Sequence, residues 1–164
     1  MKIRWMVLGA ATLATIFFLI GRSTAGKAPG LTDKTRENLS TAMHGEAFAY
    51  AKYLLYAHKA QQNGNRELAD LLRRTARTER FEHFAEEAEL AGLAGSNAEN
   101  LKDAIKGESY EVETMYREFA EQAAAAGDTT AAQRFEEIRK DEMKHRDAFT
   151  AALAKIEPKA TAGH

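Results

Sequence analysis

The 164-residue chain has no cysteine, two prolines and 24 acidic against 23 basic side chains. Without cysteine there is no disulfide, thiolate zinc site, iron–sulfur cluster, rubredoxin-type centre or cysteine nucleophile, so any metal is held by oxygen and imidazole. The near neutrality averages two unlike parts. No Asp or Glu precedes Asp33, whereas Lys2, Arg4, Arg22 and Lys27 do, which leaves residues 31–164 with 19 basic and 24 acidic groups and a net charge of about −5. An acidic body with no arginine-aromatic stripe argues against binding nucleic acid.

Lys2 and Arg4 precede an uncharged run from Trp5 to Ile20 that ends at Gly21 and Arg22, the pattern of an export segment. The run is shorter than the roughly 20 residues of a membrane-spanning helix. Ser23, Thr24 and Ala25 also offer small residues where a signal peptidase would cut. The alternative is an uncleaved anchor from Trp5 to Arg22, crossing a thin bilayer with its flanks snorkelling. Residues 1–30 are thus a signal peptide or a membrane anchor with a short linker. Either way the body is exported, to a periplasmic or other extracytoplasmic location or tethered to the membrane by its N-terminus.

Pro29 and Pro158 are the only prolines, and the residues between them are rich in Ala, Glu, Leu, Lys, Arg and Gln, which predicts an all-α body over residues 31–157. Breaks at Asn63-Gly64-Asn65, Gly92 to Asn97 and Gly127-Asp128 divide it into helices at about 32–62, 66–91, 97–126 and 129–156. Ser96 with Glu99 forms a capping box for the third. Apolar residues recur at three and four positions, as in Leu68, Leu71, Leu72, Thr75 and Ala76, so each helix carries one buried stripe and the four together suffice for a bundle core. Met115, Phe48, Phe119, Phe135 and Phe149 are read as core, His44 and His58 as surface, and residues 158–164 as a disordered tail.

The body repeats itself. A shift of 62 lays Asn38, Leu39, Ala42, Gly45 and Glu46 on Asn100, Leu101, Ala104, Gly107 and Glu108. A shift of 63 then lays Tyr53, Ala57, Ala60, Gly64, Ala69 and Glu79 on Tyr116, Ala120, Ala123, Gly127, Ala132 and Glu142. The body is two copies of a helical hairpin, and the second copy carries one extra residue early in its first helix, where a π-bulge is expected.

Most carboxylates solvate helix surfaces, Glu86, Glu87, Glu136, Glu137 and Asp141 among them. A smaller set shares a stripe with apolar residues. Glu46 lies on the packing face that continues to Tyr53. Glu108 and Glu111, at i and i+3, lead to Met115 and Tyr116, while Glu142 and His145 keep the same spacing beside Ile138 and Phe149. With Glu79, every helix offers an inward acid. Carboxylates meeting in one core require protons or cations to neutralise them. A Glu from each of two helices with Glu-x-x-His from the others is the arrangement of dinuclear carboxylate sites, and oxygen-rich ligation with imidazole suits iron or manganese.

Asn38-Leu39-x-x-Ala42-x-x-Gly45-Glu46, Gly107-Glu108-x-x-Glu111-x-x-x-Met115-Tyr116 and Glu142-x-x-His145 resemble the diiron domain of the rubrerythrins, within the ferritin-like superfamily, over about residues 34–154. The resemblance implies a ferritin-like four-helix bundle with two iron ions that reduces hydrogen peroxide, or oxidises ferrous iron with dioxygen. It makes Glu46, Glu79, Glu108, Glu111, Glu142 and His145 the ligands and Tyr53 and Tyr116 the tyrosines beside the cluster. The chain departs from the family twice. Glu79-Arg80-Phe81-Glu82-His83 puts Glu82 where the family's second helix has histidine; His83 at i+4 still reaches the same face, so His83 is the expected ligand and Glu82 its alternative. No rubredoxin domain is present, so an external electron donor is needed.

The link from Gly92 to Asn97 is too short to run the length of a bundle whose hairpins are antiparallel, which predicts a segment-swapped homodimer. Rival functions are iron binding or ferroxidation without peroxide turnover, and a metal-free helical interaction module.

Overall fold

The computed structural model describes residues 30–157. The expected export segment and the C-terminal tail lie outside the described residues. Four long helices account for nearly all of the rest, and no strand occurs among the described residues. The first spans Asp33–Gln62, entered through Thr32, whose side chain accepts from the Thr35 amide. The second runs as Arg66–Thr78, a π-turn Glu79–His83 and Phe84–Ala91. The third runs as Asn97–Tyr110, a π-turn Glu111–Met115 and Tyr116–Ala125, and the fourth spans Thr129–Ile156. None of these helices is long and apolar enough to cross a membrane.

The breaks follow local chemistry. Asn65 caps the second helix by accepting from the Leu68 amide. Gly92, at φ 62°, closes it in the left-handed region, and the Leu93 amide reaches back to the Ala88 carbonyl at 2.9 Å. Ser96 and Glu99 form the expected capping box.

The expected π-bulge is present, at Glu111–Met115, where the Tyr116 amide bonds the Glu111 carbonyl five residues back. A second π-turn, at Glu79–His83, sends the Phe84 amide to the Glu79 carbonyl. A π-turn advances the helical ladder by one residue, so a carbonyl drops out of it. At the first of these sites the Val112 carbonyl accepts from Arg139 Nε of the fourth helix at 2.9 Å, and Arg139 is itself held by Glu136 at 3.0 Å.

The first and second helices pack as one hairpin and the third and fourth as another, and among the described residues no element of one hairpin lies against an element of the other. Buried apolar residues among those described are Leu39, Met43, Ala57, Ala60, Ala69, Ala76 and Val112. Four of the seven are alanines, which let the backbones approach closely inside a hairpin but bury little area. A body of this length ordinarily encloses far more. The stripes expected to be buried are therefore half-exposed in a single chain: Leu68 and Leu71 keep 42% and 52% of their surface. Phe48 is a correction. Expected in the core, it is 68% exposed, because it follows Glu46 by two residues and so points to the opposite side of the helix. Phe119 is also at the exposed limit, whereas Met115, Phe135 and Phe149 are half-buried.

Arg139→Leu leaves the Val112 carbonyl without its partner beside a π-turn. The expected cost is about 1–3 kcal/mol, read as a lower urea midpoint. An unchanged midpoint would show that water replaces the guanidinium.

Candidate metal centre

In the first hairpin, Glu46 projects from the first helix and Glu79 and His83 from the second. In the second hairpin, Glu108 projects from the third helix and Glu142 and His145 from the fourth. One ligand-capable atom from each member of a triad lies within 4.8 Å of the others. The two triads match closely. His83 Nδ1 is 2.8 Å from Glu79 and 3.9 Å from Glu46, and His145 Nδ1 is 2.7 Å from Glu142 and 3.9 Å from Glu108. Within each hairpin the carboxylates are the more enclosed members and the histidine is the exposed one.

The π-turn at Glu79–His83 produces this equivalence. In a regular helix, i+3 and i+4 straddle the direction of i. One residue added between Glu79 and His83 brings His83 to the place that His145 takes three residues after Glu142. Glu82 is turned outward, exposed, and accepts from Thr78 Oγ1 at 3.5 Å. The structure thus groups His83, not Glu82, with Glu46 and Glu79. The repeat also becomes consistent: the π-turn in the third helix raises the shift from 62 to 63, and the one in the second returns it to 62, so that His83 falls on His145.

Glu111, one turn after Glu108 and at the start of its π-turn, is half-buried on the same side. Burial above all, then the Glu142 charge, push its carboxyl above the usual glutamate range, against the pull of His145. Glu108 is raised by burial, by a hydrogen bond to Glu142 and by the charges of Glu142 and Glu111. That hydrogen bond exists only when one of the two carboxyls holds a proton; with both ionised, the enclosed Glu108 Oε2 has no donor. Glu46 is raised by burial and by Glu79, with His83 opposing and Glu87 adding a smaller push.

Tyr116 sits beside the second triad. Burial and the charges of Glu111, Glu142 and Glu108 keep its phenol protonated to higher pH than usual. Its ring packs on Phe119 and Phe135, centroids 6.4 and 6.2 Å away. Tyr53, half-buried on the first helix, lies 6.5 Å from Tyr56, with Lys52 Nζ 5.3 Å above its ring.

Glu87 is the residue that sequence reasoning misplaced. Assigned to the surface, it is half-buried, its Oε2 is enclosed without a hydrogen bond, and its charge reaches Glu46. Its position four residues beyond His83 carried the signal, since i and i+4 share a helix face. Glu86, Glu137 and Asp141 are exposed as expected, the last bonded to Lys144 at 2.7 Å, and Glu136 is tied to Arg139. His44 and His58 are surface residues, bonded to the Ser40 carbonyl and to Gln62.

Raised carboxyl pKa values make the metal-free folded chain bind more protons than the unfolded one. The contribution to stability is fully present below the ordinary glutamate value near 4.5 and is lost as pH rises through the raised values. Metal-free Glu46→Gln/Glu108→Gln is therefore expected to gain on the wild type as pH rises from 4 to 7. Parallel stability curves for the two proteins would overturn this.

The donor set, four carboxylates and two imidazoles in matched triads with Glu111 beside one of them, fits a hard or borderline cation. Comparison with known proteins agrees with the geometry. The family model Rubrerythrin matches residues 37–153. The chain is 35% identical over 136 residues to a rubrerythrin of Porphyromonas gingivalis, covering 76% of this chain and 68% of that one. It is 31% identical over 145 residues to a putative rubrerythrin of Methanocaldococcus jannaschii, covering 76% and 71%. With nigerythrin of Nitratidesulfovibrio vulgaris it shares 31% identity over 136 residues, covering 75% and 67%. Motifs, helices and matched triads therefore converge on one assignment: the chain belongs to the rubrerythrin family.

Proposed function

We propose that this chain is an exported oxidoreductase that holds two iron ions among Glu46, Glu79, His83, Glu108, Glu111, Glu142 and His145, and reduces hydrogen peroxide with electrons from an external donor. The observation that carries the reading is the pair of Glu–Glu–His triads with the same internal distances. Two copies of one cation-binding half are what a dinuclear centre needs. Bound there as a ferrous pair, iron supplies the two electrons consumed when peroxide becomes two waters.

The reduction also consumes two protons. In the metal-free protein Glu108 and Glu111, one helical turn apart, hold protons more readily than ordinary glutamates, and they would give these up when cations take their place. Each histidine keeps its Nδ1 directed at two carboxylates, which fixes the ring for a cation in place of a proton. Glu111 opens a π-turn, so the Glu108–Glu111 pair is the place where the protein adjusts its donors as the charge it faces changes. Tyr116, with a proton held tightly beside three carboxylates, serves as a hydrogen-bond donor to them. Tyr53 is assigned the matching role on the first hairpin by the internal repeat.

The 164 residues hold no cysteine, so electrons arrive from another protein or a small reductant. That same lack favours a second reading, in which the triads oxidise or sequester ferrous iron without sustained peroxide turnover. Manganese suits the donor set as well as iron does. The export assignment rests on the segment from Lys2 to Ala25.

Glu46→Ala with Glu142→Ala removes one carboxylate from each triad and is expected to abolish stoichiometric binding of two irons; unchanged iron content would sink the assignment. Consumption of peroxide in preference to dioxygen by the anaerobic ferrous protein supports the peroxidase, and the reverse preference supports ferroxidation. A purified protein that takes up neither iron nor manganese, and keeps its fold under chelation, would leave only a helical interaction module.

A further inference from the structure

The charge of the chain is divided unevenly. Residues 47–81 carry seven basic and three acidic groups and residues 82–164 carry ten and eighteen, which leaves net charges of +4 and −8. All four arginines of the second hairpin meet a carboxylate, as in Arg117 with Glu121 at 3.1 Å and Arg134 with Glu137 at 2.8 Å. On the second helix, Arg74, Arg77 and Arg80 are exposed and meet none among the described residues. Two of them lie instead over Phe81, itself 60% exposed: Arg77 Cζ is 5.5 Å and Arg80 Cζ 5.6 Å from the ring centre. We propose that this face of the first hairpin is the docking surface for an acidic one-electron carrier protein. This rests on the reading of the chain as a diiron oxidoreductase with an external donor.

Three features select that occupant. The first is position. Arg74, Arg77 and Phe81 follow one another at three and four residues and so form one stripe. Arg77 and Phe81 stand two residues to either side of Glu79, so the stripe points away from the triad and stays open when the ligand face is covered. Arg80, next to Glu79, connects the two: its guanidinium also lies 5.8 Å from the ring centre of Tyr50, one turn after Glu46. Arg80 and Tyr50 therefore lie between a protein seated on the stripe and the first triad.

The second feature is the kind of cation. A guanidinium stacked on an aromatic ring keeps its edge free for two parallel hydrogen bonds to a carboxylate, and a side chain already ordered by the ring loses little freedom on pairing. The third is extent. The arginine–aromatic stripe not expected from the sequence is present in a short form, three cations over two helical turns around one exposed ring. Phosphate backbones are held by longer runs of cations, and anionic membranes by clusters of about four to eight. A small charged patch around a ring suits a transient protein complex, in which attraction sets the rate of encounter. Each visit transfers one electron and leaves the carrier oxidised, so two visits return a ferric pair to the ferrous state.

A plant-type ferredoxin serves as the acidic carrier and mitochondrial cytochrome c as its basic counterpart. Titrated into the purified full chain at low salt, the ferredoxin is expected to bind and the cytochrome not, and high salt should abolish the binding. Arg77→Glu/Arg80→Glu should weaken the ferredoxin complex at least about tenfold, and slow reduction of the iron-loaded ferric protein by reduced ferredoxin by the same factor. Iron content and melting temperature should not change, and Arg134→Glu on the second hairpin should leave ferredoxin binding as it was. Arg74→Glu/Arg77→Glu, which keeps the neighbour of Glu79 intact, gives the same reading should the first pair lose its fold or its iron. Ferredoxin that does not bind, or binds regardless of these arginines, would overturn the proposal. So would a chain that uses them to take up phosphatidylglycerol vesicles or duplex DNA in place of ferredoxin. A chain that holds no iron yet binds ferredoxin through these arginines would leave the docking surface standing and sink the diiron reading.

Discussion

Everything about this chain turns on carboxylates facing one another with too little to neutralise them. Across the second hairpin, Glu108 and Glu142 approach closely enough to share a proton, and Glu111 adds a third negative group from the adjoining turn. Across the first, Glu46 faces Glu79, with Glu87 nearby. One histidine per hairpin is the only neighbour that lowers the carboxyl affinities. A soluble helical protein gains nothing from such an arrangement unless a cation joins it, because enclosed like charges either take up protons or destabilise the fold. The same tension accounts for the modest core. Each hairpin puts its acids on the face that would otherwise be its best packing surface.

The π-turns show how a duplicated hairpin accommodates this. Duplication alone would give two identical halves, yet the halves differ by one residue in different helices: the second helix in the first copy and the third helix in the second. Both insertions begin at a carboxylate of the site, Glu79 in one case and Glu111 in the other. The first restores an equivalence, bringing His83 to the relation with Glu79 that His145 has with Glu142. The second marks a break in equivalence, since it begins at Glu111, a carboxylate where the repeat places Ala49 on the other hairpin. Arg139 supports that break by holding the Val112 carbonyl.

The sequence therefore showed the site better than its surroundings. Helix limits were legible to within a residue, because glycine in the left-handed region and side-chain caps are local chemistry. The triads were legible because the repeat doubled every weak signal: a lone Glu-x-x-His on a charged helix means little, but the same spacing in two copies at one height does not arise from composition. Even the slip of register was visible, as a change in shift, although only backbone geometry shows that an added residue in the second helix makes His83 the partner of Glu79. Phe48, Glu87 and Arg139 were misread or passed over for a common reason. Each depends on which way one side chain points across a helix or between helices, and hydrophobicity alone does not determine that.

The division of ligands has an energetic consequence. Six or more donors are usual around a pair of iron or manganese ions, and three donors from one hairpin leave a cation largely hydrated. If the two triads close on one another, completing the coordination shell and burying the half-exposed leucine and phenylalanine faces become a single event. Metal affinity and assembly are then linked, because a ligand that binds only the closed state stabilises it. The carboxylates act oppositely on the two sides of that link: without metal their repulsion works against closure, and with metal their charge draws the hairpins together. A core as thin as the four buried alanines of the first hairpin and the single Val112 of the second fits such an arrangement, in which closure would supply the missing stability.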